Sequence, residues 1–451
     1  MDATPVPESI PPDDTDSDTE DEDGDQEFED VAVQGSWKFS KERVEQIRQC
    51  IQEVLIPTYV SRLPGNLGEA KHGKLKAEQY LTLFSVILPL VIPEMQLDDD
   101  PTRHEAMLHS FCLVVGCTNL ISSFRTSNAA ADSFMEYYSE YFESIQQLFP
   151  DVNVLPTHHN VMHVPDILKR WGPLACQNEF MGERVNGMLQ DVKTNEHFYD
   201  MDYTRLRHFA RLGRVLARTH DEHLTDPTNA ALGMLDNILE PETAKAVHKF
   251  KELDGASLAN FLARKAKDIS MPMYTLILEY LRSIGEHKLS FYGTKNADGS
   301  ITLPDQDHRD MILPPRGKKC LKFDIDKHTY SCSSSHTANS LIQFYEPGTD
   351  PKQGQTWTGV IKTILQIPVD NTLRTFLIIR RHQRLPVPFF AAHPELMAAV
   401  VDLQPEVLLD EQVIEPHHVI THLAAWKRPA GVYHSVKPTM TICWALNRGR
   451  R

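Results

Sequence analysis

The chain has 451 residues, 41% of them hydrophobic, and its 62 acidic against 46 basic side chains give a formal net charge of −16. That length allows two or three domains with real cores. No apolar run reaches the length of a membrane span, and the acidic start lacks the pattern of a secretory signal, so neither a membrane-embedded nor a secreted protein is expected. The seven cysteines (50, 112, 117, 176, 320, 332 and 443) are odd in number and form no CxxC pair, which favours free thiols in a reducing compartment.

Residues 1–34 hold 14 Asp or Glu and no Lys or Arg, so the rest of the chain carries only −2. With almost no large apolar side chains to bury, this tail cannot offset its ordering entropy and is expected to be disordered. Such a tail serves solubility or competes with nucleic acid for basic partners.

A helical domain is expected over residues 35–285. Lys41 to Val60 reads as a helix, and Ala77 to Val91 as a long apolar one broken at Pro89. Glu105 to Phe124 repeats apolar residues at Met107, Leu108, Phe111, Val114, Val115 and Ile121. Ser133 to Phe149 does the same with Phe134, Tyr137, Tyr138, Tyr141, Phe142, Ile145 and Leu148. Nothing in this stretch alternates as a strand does. Cys112 and Cys117, five apart, stand about 140° round such a helix and do not converge.

The densest passage follows. In HHNVMH, His159 and His163 are four apart and share one helical face, the spacing a metal bridges; a hydrogen-bonded pair is the plainer reading. Cys176 is the better third ligand if zinc is held there. Glu183, beside Arg184, opens an amphipathic pattern (Val185, Met188, Leu189, Val192), where it ligates a divalent cation, caps the helix or pairs with Arg184. Arg207, Arg211, Arg214 and Arg218 then fall at i, i+4, i+7 and i+11, one stripe of a helix. A guanidinium row of that kind suits a phosphate backbone, while Asp200, Asp202 and Asp221 are near enough to pair with it.

Past a linker with a short helix (Pro227 to Glu242), Ala256 to Arg282 suggests a helical pair broken near Pro272. From residue 286 the texture becomes β-rich. KLSFYGTKNADGSITLP carries an Asn-Ala-Asp-Gly turn between short runs, a hairpin signal. SLIQFYEPG, WTGVIKTILQI, TFLIIRRHQRL, VVDLQ, VIEPHHVITHLAAW and MTICWAL each read as strands bounded by turn residues. The fold class is therefore α+β: a largely helical domain followed by a smaller β-rich one over 286–451, with an SH3-like barrel as one form it can take. Such units commonly recognise protein partners. His417, His418 and His422 read as strand and turn residues, and neither His220-Asp-Glu-His223 nor the Ser-Cys-Ser-Ser-Ser-His run at 331–336 has a spacing that defines a site.

Three segments carry a resemblance: RLPGNLGEAKHGKLKAEQYLTLFSVILP at 62–89, HHNVMHVPDILKRWGP running into FMGERVNGMLQDVKTN, and the later TFLIIRRHQRL with VIEPHHVITHLAAW. Together they make the chain, from about residue 37 onward, similar to the C-terminal portion of a fungal DNA transposase of the CACTA (En/Spm) group. This chain departs from that pattern at Met181 and Gly182, where the group often has proline and an aromatic.

The resemblance implies a ribonuclease-H-like core holding magnesium or manganese through two aspartates and a glutamate, with Glu183 as the third acid, and nuclear residence. It also implies a structural zinc site to which His159 and His163 belong. Two-metal chemistry needs all three carboxylates, and the two aspartates need strands upstream of Glu183 that the sequence does not offer. A catalytically incomplete, DNA-associated remnant is the expectation; a protein-interaction scaffold, or a nuclease completed by another chain, are the alternatives.

Overall fold

Caps written into the sequence set the first helices. The computed structural model describes residues 38–69, 75–151, 153, 155–176, 192, 200–219, 251–252, 260–261, 265–285, 289–290, 294–295, 301–302, 311–325, 328–347, 355–369, 372–403 and 411–449, excepting 152 and 154. Helix α1 (Lys41–Glu53) begins where the Ser40 hydroxyl accepts from the Arg43 N–H at 3.3 Å, and it buries Ile47, Cys50 and Ile51 on one face.

The apolar run from Ala77 is continuous across Pro89. Helix α2 (Ala77–Thr82) passes through a π-helical turn (Leu83–Ile87) into α3 (Leu88–Val91), with Pro89 in its first turn. Proline has no N–H to give the carbonyl four residues back, that of Ser85. That carbonyl accepts instead from the Cys443 thiol, 3.4 Å away. The break expected at Pro89 is thus absorbed by a widened turn.

Helices α4 (Pro101–Ile121) and α5 (Asn128–Leu148) pair as an antiparallel hairpin. Both start before their apolar periodicity does, because Asp100 caps Thr102 with Pro101 behind it, and Ser127 caps Ala130. α4 is apolar on most sides because α5, the π-helical turn and the segment Pro394–Leu396 all pack on it. The short helices α6 (Pro156–Val161) and α7 (Val164–Trp171) follow, then α8 (Met201–Thr219). Residues 38–176, where described, contain no strand beyond a single bridge between Leu55 and Ala425.

The β-rich half is built on two long strands. In chain order the strands are β1 (Lys251–Glu252), β2 (Lys267–Asp268), β3 (Leu289–Ser290), β4 (Thr294–Lys295), β5 (Ile301–Thr302), β6 (Met311–Ile312), β7 (Arg316–Cys320), β8 (Lys322–Ile325), β9 (His328–Ser331), β10 (Leu341–Tyr345), β11 (Thr356–Val369), β12 (Thr372–Arg381), β13 (Ala398–Asp402), β14 (Glu411–Ile414), β15 (Val419–His422), β16 (Ala424–Arg428) and β17 (Thr439–Cys443). β4 and β5 are the hairpin expected around the Asn-Ala-Asp-Gly turn. Antiparallel β11 and β12 form the spine of an eight-stranded sheet. On one side β10 and β7 pair with opposite ends of β11, and on the other β14 and β1 share β12.

Along β12, Phe376 and Ile378 face helix α9 (Met271–Ser283), whereas Leu377 and Ile379 face the β8–β9 hairpin. Both faces are covered, which is why this strand reads as an unbroken apolar run rather than an alternating one. Pro272 sits in the first turn of α9, where its missing N–H costs nothing. The fold is α+β with helices first and strands after, and the strands close no barrel among the described residues.

A second sheet, ordered β13-β17-β16, lies against the N-terminal helices. Ile47, Ile51, Val86, Leu90 and Met107 from the helices share one core with Phe390, Val400, Trp426, Cys443 and Leu446, where α10 (Pro388–Ala392) also packs. Trp426 is fully buried and donates its indole N–H to Glu53 at 3.0 Å. All seven cysteines are free, and no helix among the described residues is long and apolar enough to cross a membrane.

Candidate functional site

The arginine stripe lies on α8, which the sequence favours through acids at its start (Asp202) and an amphipathic pattern behind them. Arg207, Arg211 and Arg214 are exposed, and Tyr203 and Leu206 stand out beside them at 65% and 69% exposure. Asp200 and Asp202 make no ion pair with Arg207, Arg211 or Arg214 among the described residues. For Arg218 only the backbone is described, and it continues the stripe. Three guanidinium groups thus stand exposed along one helix, with no carboxylate partner among the described residues. Over its eleven-residue reach such a stripe extends about 16 Å.

His159 and His163 do come together. Their Nε2 atoms are 3.4 Å apart and the rings meet edge to face, although the chain leaves helix α6 at Met162 and restarts as α7 at Val164. Both are exposed, and Cys176, also exposed, does not join them in a three-ligand group. The neighbouring His158 is engaged elsewhere, its Nδ1 lying 2.8 Å from the Tyr138 hydroxyl. Glu183 and the segment around it lie outside the described residues, as do Asp221 and the run at 220–223.

One cluster the sequence did not single out has ligand chemistry. Cys112, His393 and Glu395 bring one thiol, one imidazole nitrogen and one carboxylate oxygen within 4.8 Å of each other, the one such set among the described residues. Cys112 is buried on α4, and burial pushes its thiol well above the usual range, with Glu395 adding to the effect. His393 Nδ1 lies 2.8 Å from Glu395 Oε1. The visible hint was the pair His109 and Cys112, three apart on a helix. Its partners, His393 and Glu395, are too far along the chain for any spacing rule to connect.

Of the C-terminal histidines, His418 and His422 are held inside the fold, while the His417 side chain is 60% exposed. His422 is fully buried, stacked on Tyr330 at 3.8 Å, with Nε2 3.1 Å from the Thr329 carbonyl. His418 closes the turn Pro416–His418, its Nδ1 accepting from the Glu415 N–H. In the run at 331–336 the Ser331 hydroxyl donates to the His336 backbone carbonyl and not to its ring, so no nucleophile–base pair forms.

An open cleft of about 950 Å³ lies between α9 and the ends of β11 and β12, where the Arg381 guanidinium stacks 3.3 Å over the Trp357 ring. Arg381 and Arg384 line it, but so do Glu279, Glu346 and Glu411. With acids outnumbering arginines, it has no preference for a phosphate. Comparison of the chain with protein-family models, with characterised proteins and with solved structures finds no match.

Proposed function

We propose that this is a transposase-derived, DNA-associated protein with an incomplete catalytic core, which grips the phosphate backbone of a duplex through α8. The observation that carries this reading is the exposed stripe of Arg207, Arg211 and Arg214, continued in the helix by Arg218, without carboxylate partners among the described residues. Outward-facing guanidinium groups at helical spacing are preorganised for phosphate oxygens and displace counterions on binding. The acidity that would oppose such binding is concentrated in residues 1–34. The lack of any strand beyond the Leu55 bridge among the described residues upstream of Glu183 supports the incomplete core, because the two missing aspartates need strands to carry them. In this reading magnesium or manganese enters only if another chain completes the acidic triad, and the protein resides in the nucleus.

The test is fluorescence anisotropy of a labelled duplex with the full chain over a salt series, with manganese present and nicking followed on gels. Binding that weakens steeply with salt, without nicks, is expected. Replacing Arg207, Arg211, Arg214 and Arg218 together with Gln should flatten the log–log slope by about 3 to 4, given roughly 0.9 per neutralised phosphate. Unchanged affinity in that variant, with its helical content intact, would remove the stripe from the interface. Nicking abolished by Glu183→Gln would overturn the incomplete core. DNA-independent retention of a protein partner by a chain that ignores DNA would favour the scaffold.

A further inference from the structure

We infer that Cys112, His393 and Glu395 form a zinc site that staples the segment Pro388–Leu396 onto helix α4. The inference is independent of DNA binding. It begins with the ligand set, since a thiol, an imidazole and a carboxylate within 4.8 Å of one another suit a borderline-soft divalent ion. Calcium or magnesium would ask for six or more oxygens, which this set does not supply. Tetrahedral ligands at about 2.0–2.3 Å from an ion stand roughly 3.3–3.7 Å apart, so the His393–Glu395 hydrogen bond at 2.8 Å opens on binding, while the Cys112 thiol already lies within 4.8 Å of both groups.

The backbone around the group is arranged to bring the two parts close. Gly116, one turn beyond Cys112, leaves no room for a side chain: a Cβ there would come within 2.9 Å of Tyr137 and 3.2 Å of the Glu395 Cβ. Asn119 Nδ2 donates to the Glu395 carbonyl at 2.9 Å, fixing the loop from the other side. Pro394 stiffens the turn between the two loop ligands, and Met397 directly after it takes a left-handed conformation, φ 51°, that a non-glycine residue adopts only when its surroundings impose it.

The rim supplies what a metal needs besides ligands. The His393 and Glu395 side chains are 18% and 11% exposed, enough for an ion to reach them from solvent. His109, one turn before Cys112, holds its ring centroid 5.9 Å from that of His393, and its Nε2 is tied to Glu140 at 2.7 Å. Three protein ligands leave the fourth tetrahedral position to water. On binding, the Cys112 proton passes to solvent, the thiolate and the Glu395 carboxylate neutralise the ion, and His393 ligates as the neutral imidazole.

The experiment is zinc titration of the purified, chelator-stripped full chain against a chromophoric competitor, with cobalt as a spectroscopic substitute. One zinc per chain is expected, with a thiolate-to-cobalt absorption band in the near ultraviolet. Cys112→Ala and His393→Ala should each lose the bound equivalent and the band, while a His159→Ala/His163→Ala double variant keeps both. Zinc should raise the unfolding temperature of the parent chain and leave Cys112→Ala where it stands without metal, which separates lost metal from lost fold. No bound zinc, zinc retained by Cys112→Ala, or zinc lost in the His159/His163 variant would each overturn the assignment.

Discussion

Arg428 and Glu94 meet as a buried fork, Nε to Oε2 at 2.8 Å and Nη2 to Oε1 at 2.6 Å, between the last sheet and the end of the second helical stretch. Gln46 donates to the same carboxylate, and the Arg428 guanidinium also lies 3.6 Å over the Trp426 ring. Burial pushes the Glu94 carboxyl up, and the hydrogen bonds and charge of Arg428 pull it back. Arg428→Met removes the compensation and leaves a carboxylate that is 6% exposed without its cation. A loss of about 3–5 kcal/mol is expected, read from urea unfolding. The double variant Glu94→Leu/Arg428→Met should recover most of it, since an apolar pair of similar size removes the stranded charge. A single variant within about 1 kcal/mol of the parent would mean that water screens the fork.

Gly359 is a glycine for lack of space. It faces Arg381 across the β11–β12 ladder, and a Cβ there would meet the Arg380 carbonyl and the Ile379 Cγ2 at 2.7 Å each. One of those contacts is backbone, so no rotamer change relieves it. Gly359→Ala should destabilise by about 1–3 kcal/mol and disturb the Trp357 environment two residues away. Unchanged stability and unchanged tryptophan fluorescence would show that the strands separate without cost.

The elements legible in the sequence were those whose signal is local. The strands Leu341–Tyr345, Thr356–Val369 and Thr372–Arg381 stand where apolar β-branched runs are bounded by Gly, Pro and Asp. The helix pair α4 and α5 was visible, but its starts were missed because Asp100 and Ser127 set them through capping, ahead of the apolar repeat. Pro89 misled, because a π-helical turn and a distant thiol satisfy the carbonyl it orphans.

What no local pattern shows is which faces meet. Trp426 finding Glu53, and Cys112 finding His393, are products of packing between parts hundreds of residues apart. The exposed arginine stripe was readable for the opposite reason: it depends on one helix alone.

Tyr280, Arg374 and Glu415 form a second buried polar group, tying α9 to the eight-stranded sheet. Arg374 gives Nε and Nη2 to Glu415 at 2.9 Å each, and the Tyr280 hydroxyl donates to Oε2 at 3.2 Å. Tyr280→Phe deletes one bond to a charged acceptor while the ring stays packed on Phe376, so about 1.5–3 kcal/mol should be lost. Arg374→Met should cost more, because it strands the 4%-exposed carboxylate. If the two variants rank in the reverse order under urea, Arg374 is not the group that compensates Glu415.

Acid should weaken the fold well above the pH at which carboxylates titrate. Burial, helped by neighbouring His417, pulls His418 down to about 4, and burial with His328 pulls His422 down to about 3. In the unfolded chain each imidazole titrates near pH 6.5, so the unfolded state takes up a proton first as pH falls. The contribution of both histidines is whole above about pH 6.5, declines below it, and is spent once pH drops through the folded values. The slope approaches about 1.4 kcal/mol per pH unit for each histidine in that window. Glu94, pushed up by burial, takes its proton first in the folded state and so opposes the loss just above about pH 4.5, whereas below that pH Glu53, held low by Gln49 and Trp426, adds a loss of the same sign as the histidines. Urea midpoints taken between pH 7.5 and 5 sample the histidine window, in which buried His382, pulled down to about 4, and His417, lowered by burial, act with the same sign, so the comparison with the parent carries the test. The His418→Asn/His422→Asn variant should be less stable at pH 7.5 yet fall less steeply toward pH 5, and a slope equal to the parent's would show that neither imidazole is held neutral by the fold.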